Sequence, residues 1–584
     1  MTVQRDRTTT TERAAEPGAQ EEPQPRRMDR RRFLLQGGTA SLGALAIAGT
    51  GNAVAAPFGA DGGTGSDLPA LRSPNRGQIV SAAGPQAIPP LGVIVFNRLA
   101  FGPRPGDLAA FNALGSTDDA RLTAWVDQQL DPASMDDSEC DAILAAQNFT
   151  SLEKSLTQLW KDYQVDRIDD RYRPLYEIED ATWLRAVYSQ RQLYEMLADF
   201  WHNHFNLYGR MTVIESTFVH WDRDVIRANM LGNFRQMMED VATAPAMLYF
   251  LDNYINSRSG PNENWARELF ELHTLGAENY LGPGRQMDVP GYDEGLPMGY
   301  VDDDVYEATR CFTGWRVNNS NSLGNTGEFY FDESWHDRFQ KTVLGKYIPP
   351  DQQSMQDGRD VMDALAAHPG TGRYIARKLC RRFISDTPPE DLIQQAAALF
   401  TAQKDAPDQL KQVVRLILLS DAFKSTWGEK IKRPFEAVAG ALRAVKADFV
   451  RSNSFKWNYD DMGHENFRWP APDGYPDVKD AWAGSVPMVY RWRMLNYLME
   501  NSISETTIDV VVQTPTTVRT PNALADFWIN RILGRAMESN GRAQIVELLA
   551  RGRNPDFDLT DEQLTERLPR AVAVILMSPD FQWR

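Results

Sequence analysis

The chain has 584 residues, with 62 Lys and Arg against 79 Asp and Glu, a formal net charge of −17. An acidic excess of that size argues against nucleic acid and anionic membrane surfaces as partners, since both repel a polyanion. The three cysteines, Cys140, Cys311 and Cys380, make neither a disulfide framework nor a C-x-x-C metal site.

Residues 1–24 are rich in Thr, Glu, Pro and Ala, hold almost no large apolar side chain, and are expected to be disordered. Arg30-Arg31-Arg32-Phe33-Leu34 then matches the R-R-x-F-L pattern of a twin-arginine export signal, carried by Arg30, Arg31, Phe33 and Leu34, with Asp29 where Ser or Thr is usual. A Gly/Ala-rich run, Leu34 to Ala48, and an A-x-A site at Ala53-Val54-Ala55 complete the leader. The run is too short and glycine-rich for a stable membrane anchor. The expected organisation is a leader over 1–56, a flexible linker over 57–89 and a helical domain over 90–584, exported by the twin-arginine machinery to the periplasm or beyond. Without residues 1–56, 54 basic residues face 73 acidic ones, a net charge of −19.

From Leu91 the periodicity is helical and strand-like alternation is nearly absent. The fold class is therefore mainly α, one large multi-helical domain with few or no short strands. Helices are expected over 91–101, 105–114, 117–130, 139–147 and, as one long element, 185–205. Further helices follow at 217–231, 233–243 and 302–312, with a short strand at 328–331. Residues 282–299, rich in Gly, Pro and Asp, read as an exposed loop. Helices resume from Asp357, and Trp457 to Trp482 is an irregular aromatic and proline-rich segment. Val413 to Phe423 is echoed by Ala571 to Phe581, so duplicated helical units are plausible.

Chemistry concentrates in Asn262 to Gly276. At about 100° per residue, Asn264, Arg267, Glu268 and Glu271 share one stripe while Trp265, Ala266, Leu269, Phe270 and Leu272 share the other, with His273 emerging from the apolar side. One reading is a solvated face laced by Arg267 and Glu271; the other buries both faces and makes the charges functional. The 185–205 helix ends in Phe200-Trp201-His202-Asn203-His204-Phe205. There His204 joins Leu193, Leu197 and Phe200, and His202 joins Glu195 and Asp199. Spacing i,i+2 lets both histidines hold one metal only if the helix unwinds at Asn203. His336-Asp337 forms a further loop pair, with Lys341 four residues on. Arg377, Lys378, Arg381 and Arg382 crowd one short helix as a solvated face or an anion site.

Together with Phe96-Asn97-Arg98-Leu99, Gly232-Asn233-Phe234, Asp304-Val305, Lys432-Arg433-Pro434-Phe435-Glu436 and Pro472 to Pro476, these motifs resemble domain of unknown function 1800, nearly to the C-terminus. The resemblance implies an exported, largely helical protein, encoded in many cases beside a sulfatase-like one. It implies no reaction. Two departures stand out: residues 282–299 are longer than usual, and His464 stands where Gln is more familiar.

Imidazoles beside carboxylates suit a zinc, manganese or calcium site with a bound water as nucleophile. The candidate ligands are His202, His204, His336, Asp337 and His273. Glu268 is the candidate base, Glu271 and Asp304 further catalytic carboxylates, and Arg267 an anion clamp. Trp469, Tyr475 and His464 are candidates for binding substrate, the aromatic rings by stacking on sugars. A metal-dependent hydrolase of an extracellular polymer or glycan leads. The alternatives are a metal-free glycoside hydrolase pairing Glu268 with Asp304, and a non-catalytic helical scaffold binding the sulfatase-like neighbour.

Overall fold

The computed structural model describes residues 87–584, so the twin-arginine motif at Arg30, Arg31, Phe33 and Leu34 and nearly all of the linker lie outside the described residues. Helical periodicity becomes 25 α-helices among those residues, joined by short loops. The strands are confined to two antiparallel hairpins, Trp315–Val317 with Phe329–Phe331 and Lys341–Val343 with Lys346–Ile348. The chain is mainly α and forms one large domain. No described helix is long and apolar enough to cross a membrane. The three cysteines are free and buried.

Local chemistry sets most boundaries. Thr117 accepts the amide of Ala120 and Asn233 that of Gln236, each capping the helix that follows. The single helix expected over 185–205 is two: Arg173–Tyr188 and Gln192–His204. Buried Asp137 causes the break, since its carboxylate accepts from the Ser189 hydroxyl at 2.7 Å and the Gln190 amide at 2.7 Å, holding Ser189 extended. The echoed segments do share a form, each a long helix, a serine, then a short helix with a buried phenylalanine, Phe423 and Phe581.

Three helical stretches widen into π-turns: Lys161–Val165, Trp221–Arg227 and Leu269–His273. Such turns bring i,i+5 residues together and commonly mark functional sites. Two of the three flank the end of the Gln192–His204 helix.

The core is organised on Pro434–Ala444, every residue of which is buried. Small residues let neighbours close on it: a Cβ at Gly440 would lie 2.6 Å from the Phe101 carbonyl oxygen. Its two inward charges are matched, Arg443 donating to the carbonyls of Gly102 and Val187 at 2.7 and 2.9 Å, and Glu436 accepting from Arg584 at 2.9 Å. Gly440→Ala is expected to lower the thermal midpoint by several degrees through a backbone overlap costing about 1–3 kcal/mol. Calorimetry checks this, and an unchanged midpoint would contradict the packing.

Candidate functional site

The Gln192–His204 helix stays regular through His204, so His202 and His204 project to different sides and meet different partners. The intervening Asn203 and the following Asn206 hold the irregular 457–482 segment. Asn203 donates to the Tyr475 carbonyl at 2.8 Å and accepts its amide at 2.7 Å, while Asn206 donates to the carbonyls of Trp469 and Ala471 at 2.9 and 2.6 Å. Gly474 makes this closeness possible, with φ +75° and no room for a Cβ, which would stand 2.2 Å from the Asn203 carbonyl oxygen.

His202 is buried with Nε2 at 2.8 Å from Asp222 Oδ1. Asp222 is gripped from its other side by Arg227, whose Nε lies 3.0 and 2.9 Å from the two carboxylate oxygens. Arg227 also forks onto Glu195, at 2.9 and 2.8 Å. Asp222 and Arg227 are five residues apart and meet because Trp221–Arg227 is a π-turn. Burial alone would raise the Asp222 pKa, but Arg227, His202 and Arg185 hold it well below the usual carboxylate range. For Arg227, burial is outweighed by Asp222 and Glu195, which push its pKa up. An ionised Asp222 accepts the Nε2 proton, and a ring singly protonated there carries its free lone pair on Nδ1. His202 lines a small cavity of about 20 Å³, shared with Thr182, Glu195, Asp199, Arg227, Asn466 and the rings of Phe101, Phe435 and Phe467. That is room for about one water. Phe467 lies against His202 at 4.7 Å between centroids and has φ +58°, strained for an aromatic residue.

His204 accepts from Lys378 Nζ at Nδ1, 2.8 Å away, and its Nε2 lies 3.2 Å from the His273 carbonyl oxygen. Burial first, and then the Lys378 charge, push the His204 pKa well below its ordinary value. Burial also brings Lys378 down to about 8, with Asp477 and Asp473 opposing. His273 is fully buried, its ring 6.0 Å from that of His204, with neither nitrogen hydrogen-bonded; burial takes its pKa down to about 3. On the same stretch Trp265, Ala266, Leu269 and Phe270 are buried and Arg267, Glu268 and Glu271 half-buried, as the helical projection predicts, whereas Leu272, projected onto the apolar side, is only half-buried because the helix widens into a π-turn there. Arg267 pairs with Glu263 at 3.1 Å and Asp302 at 3.3 Å, and not in the expected bond to Glu271. Burial raises the Glu271 pKa against the pull of Arg267.

Asp304 caps its own helix, accepting the Val301 amide at 3.0 Å, and pins the second hairpin by accepting the Leu344 amide at 2.7 Å. Burial raises its pKa to about 6 against those two bonds. Each Asp304 oxygen thus accepts one backbone amide, Oδ2 that of Val301 and Oδ1 that of Leu344. His336 Nε2 lies 3.2 Å from Asp357 Oδ2, which also takes Lys341 Nζ at 2.5 Å, and His336 Nδ1 lies 2.9 Å from the Thr313 carbonyl oxygen. Asp337 accepts from Arg310 at 2.9 and 3.2 Å.

The expected metal ligands therefore do not converge. His202 faces Asp222, His204 faces Lys378, His336 faces Asp357 and Asp337 faces Arg310, while His273 lies beside His204 with ring centroids 6.0 Å apart. Among the described residues no group of three or more His, Cys, Asp or Glu is placed to hold a metal ion. The lone pair that His204 would give a metal is already taken by an ammonium donor. Trp469, Tyr475 and His464 do cluster, with centroids 4.8 Å apart for Trp469 and Tyr475 and 4.5 Å for Tyr475 and His464. Yet Tyr475 and His464 are buried, and only Trp469 is half-exposed, so the cluster packs the segment more than it offers a face.

The sequence did not single out Asp222, Arg227 or Asp357, and it read Lys378 as part of a solvated face or an anion site where the fold turns it onto His204. Asp222 and Arg227 carry no helical pairing signal, because i,i+5 partners meet only in a π-turn. The chain belongs to the family described as "Protein of unknown function (DUF1800)", which matches residues 94–583. No curated protein and no solved structure matches it. Membership covers every cluster described above, from the paired histidines to Lys432-Arg433-Pro434-Phe435-Glu436.

His464 offers a test of buried neutrality. Burial, then the Arg433 charge, hold its pKa well below the ordinary 6.5, and the Tyr459 hydroxyl lies 3.0 Å from Nδ1. The folded chain keeps it neutral while the unfolded chain takes up a proton below 6.5, so stability is lost as pH falls through that value. His464→Gln removes this loss. Relative to the parent, its unfolding free energy should rise by about 2 kcal/mol between about pH 7 and about pH 5. Urea unfolding of both proteins measures it, and a pH-independent difference would contradict a neutral His464.

Proposed function

We propose that the chain is a hydrolase in which His202, oriented by Asp222, activates a water held in the adjoining cavity. The observation that carries this is the dyad itself: a buried imidazole fixed in one tautomer by an ionised carboxylate, lining a cavity of about 20 Å³. In the proposed step Nδ1 takes a proton as the water oxygen bonds to the electrophilic carbon, and the proton then passes to the leaving group. Asp222 steadies the transient imidazolium, and Arg227 keeps Asp222 ionised. Strained Phe467 closes the cavity, so substrate enters as the 457–482 segment shifts. The step needs no metal. The twin-arginine pattern supports export, and the substrate class proposed is an extracellular polymer or glycan.

The scaffold reading is favoured by one observation: Asp304, His336, Asp337 and Lys341 are all engaged within the chain. On that reading they fix a rigid surface for a partner such as the sulfatase-like neighbour.

The deciding experiment screens the purified protein on chromogenic esters and glycosides in ¹⁸O-labelled water, beside His202→Gln and Asp222→Asn. The hydrolase reading expects label in the product and about a 100-fold or larger loss of rate in His202→Gln, with the fold retained by circular dichroism. Turnover at the parental rate in His202→Gln, or none by the parent on any substrate, overturns it and leaves the scaffold.

A further inference from the structure

The π-turn that brings Asp222 and Arg227 together beside His202 has a second face. His220, just before the turn, and Asp224 and Val225 within it line a pocket of about 260 Å³. Asp240 and Thr243 of the Phe234–Thr243 helix form another wall, and Leu156 and Phe329 of the first hairpin close the rest. No residue is shared with the His202 cavity. The size suits a small ligand.

Charge in this pocket is one-sided, because no Lys or Arg lines it among the described residues. Asp224 is neutralised from outside: Arg223 forks onto it through Nε and Nη2, both at 2.7 Å, and is itself anchored on the carbonyls of Leu152 and Lys154 at 2.6 and 3.1 Å. Asp240 has no such partner. Its two oxygens accept from the side-chain amides of Asn229 at 2.8 Å and Gln236 at 2.9 Å, both neutral donors, and no cation pairs with it among the described residues. The carboxylate therefore keeps its full charge and a lone pair on each oxygen.

The remaining polar groups favour the same kind of guest. The Thr243 hydroxyl gives its proton to the Glu239 carbonyl at 2.8 Å, which leaves its oxygen free to accept. His220 makes no hydrogen bond to the described residues, and burial holds its pKa below the ordinary 6.5 against the pull of Asp224, so near neutral pH the ring does not repel a cation. A bare metal ion fits less well, since no three carboxylate or imidazole groups converge here among the described residues. Leu156, Val225 and Phe329 offer carbon walls on which an aliphatic stem can lie.

We propose that this pocket binds a primary ammonium group on a short aliphatic stem, the ammonium donating to Asp240 and Thr243 and the stem lying against Leu156, Val225 and Phe329. The site is independent of the hydrolytic step and stands whether or not His202 is a base.

Ligand-observed NMR titration of the full chain tests it with n-butylamine and 1,4-diaminobutane. The controls are n-butanol, butyrate, tetramethylammonium, which has charge but no donor, and zinc ion titrated alone. At least one amine should bind at millimolar concentration, and more tightly than butanol, butyrate or tetramethylammonium. Asp240→Asn, which keeps the shape and removes the charge, should weaken amine binding about tenfold or more. Thr243→Val should weaken it severalfold, and His202→Gln should leave it unaltered. A lysine blocked at both ends presents the same ammonium from a peptide: tighter binding than butylamine makes a partner's lysine the source, weaker binding a free amine. The site is refuted if neither amine binds at millimolar concentration, if butanol or tetramethylammonium binds as tightly, if zinc binds and loses that binding in Asp240→Asn, or if both pocket variants bind amines like the parent.

Discussion

The interior of this protein depends on one buried charge pattern, Arg227 held between Asp222 and Glu195. A guanidinium removed from water is tolerated only where carboxylates meet it with good geometry. Here the geometry comes from the backbone, because the π-turn over Trp221–Arg227 closes the i,i+5 distance that a regular helix would keep open. With Arg227 in place, Asp222 stays ionised and holds His202 by Nε2, which on the proposed reading leaves Nδ1 to act as the base. Widened helix, ion pair and base form one continuous physical argument. Removing Asp222 would leave Arg227 with one carboxylate and His202 with no orienting partner.

A second buried network meets the same face of the Gln192–His204 helix at Asp199. Arg382 reaches Asp199 at 3.1 Å, Glu436 at 2.5 Å and Asp477 at 3.7 Å, so four segments far apart in sequence meet at one guanidinium. Arg584 adds to Glu436 at 2.9 Å, and Lys430 joins Asp477 at 3.4 Å to Asp386 at 2.6 Å. Apolar packing could give equal stability. What the charges add is register: Asp199 is three residues before His202, so the clamp that fixes the central Pro434–Ala444 helix also fixes the depth at which the dyad sits.

The regular parts of the fold were legible because they follow periodicity. Trp265, Ala266, Leu269 and Phe270 were assigned to the buried face from spacing alone, and His202 was correctly grouped with Glu195 and Asp199 and separated from His204. Thr117 and Asn233 mark helix starts by hydrogen bonding that any reader of the sequence can anticipate. What escaped is tertiary. The break at Ser189 is imposed by Asp137, 52 residues earlier. Lys378 meets His204 across 174 residues, and Asp357 meets His336 only once the second hairpin has formed. Asp304, a candidate carboxylate from the sequence, also accepts the Leu344 amide, a contact that spacing along its own helix does not show. The metal expectation rested on imidazoles and carboxylates counted along the chain, whereas His202, His204, His336 and Asp337 each meet a different partner that only the tertiary fold supplies.

The most direct measurement is a neutron structure of the protein in heavy water near neutral pH, read at His202. Deuterium on Nε2 toward Asp222, none on Nδ1, and a water in the adjoining cavity are the predicted result. Deuterium on Nδ1, a cavity with no water, or a metal atom bridging His202 to any other ligand would contradict the assignment of His202 as the base.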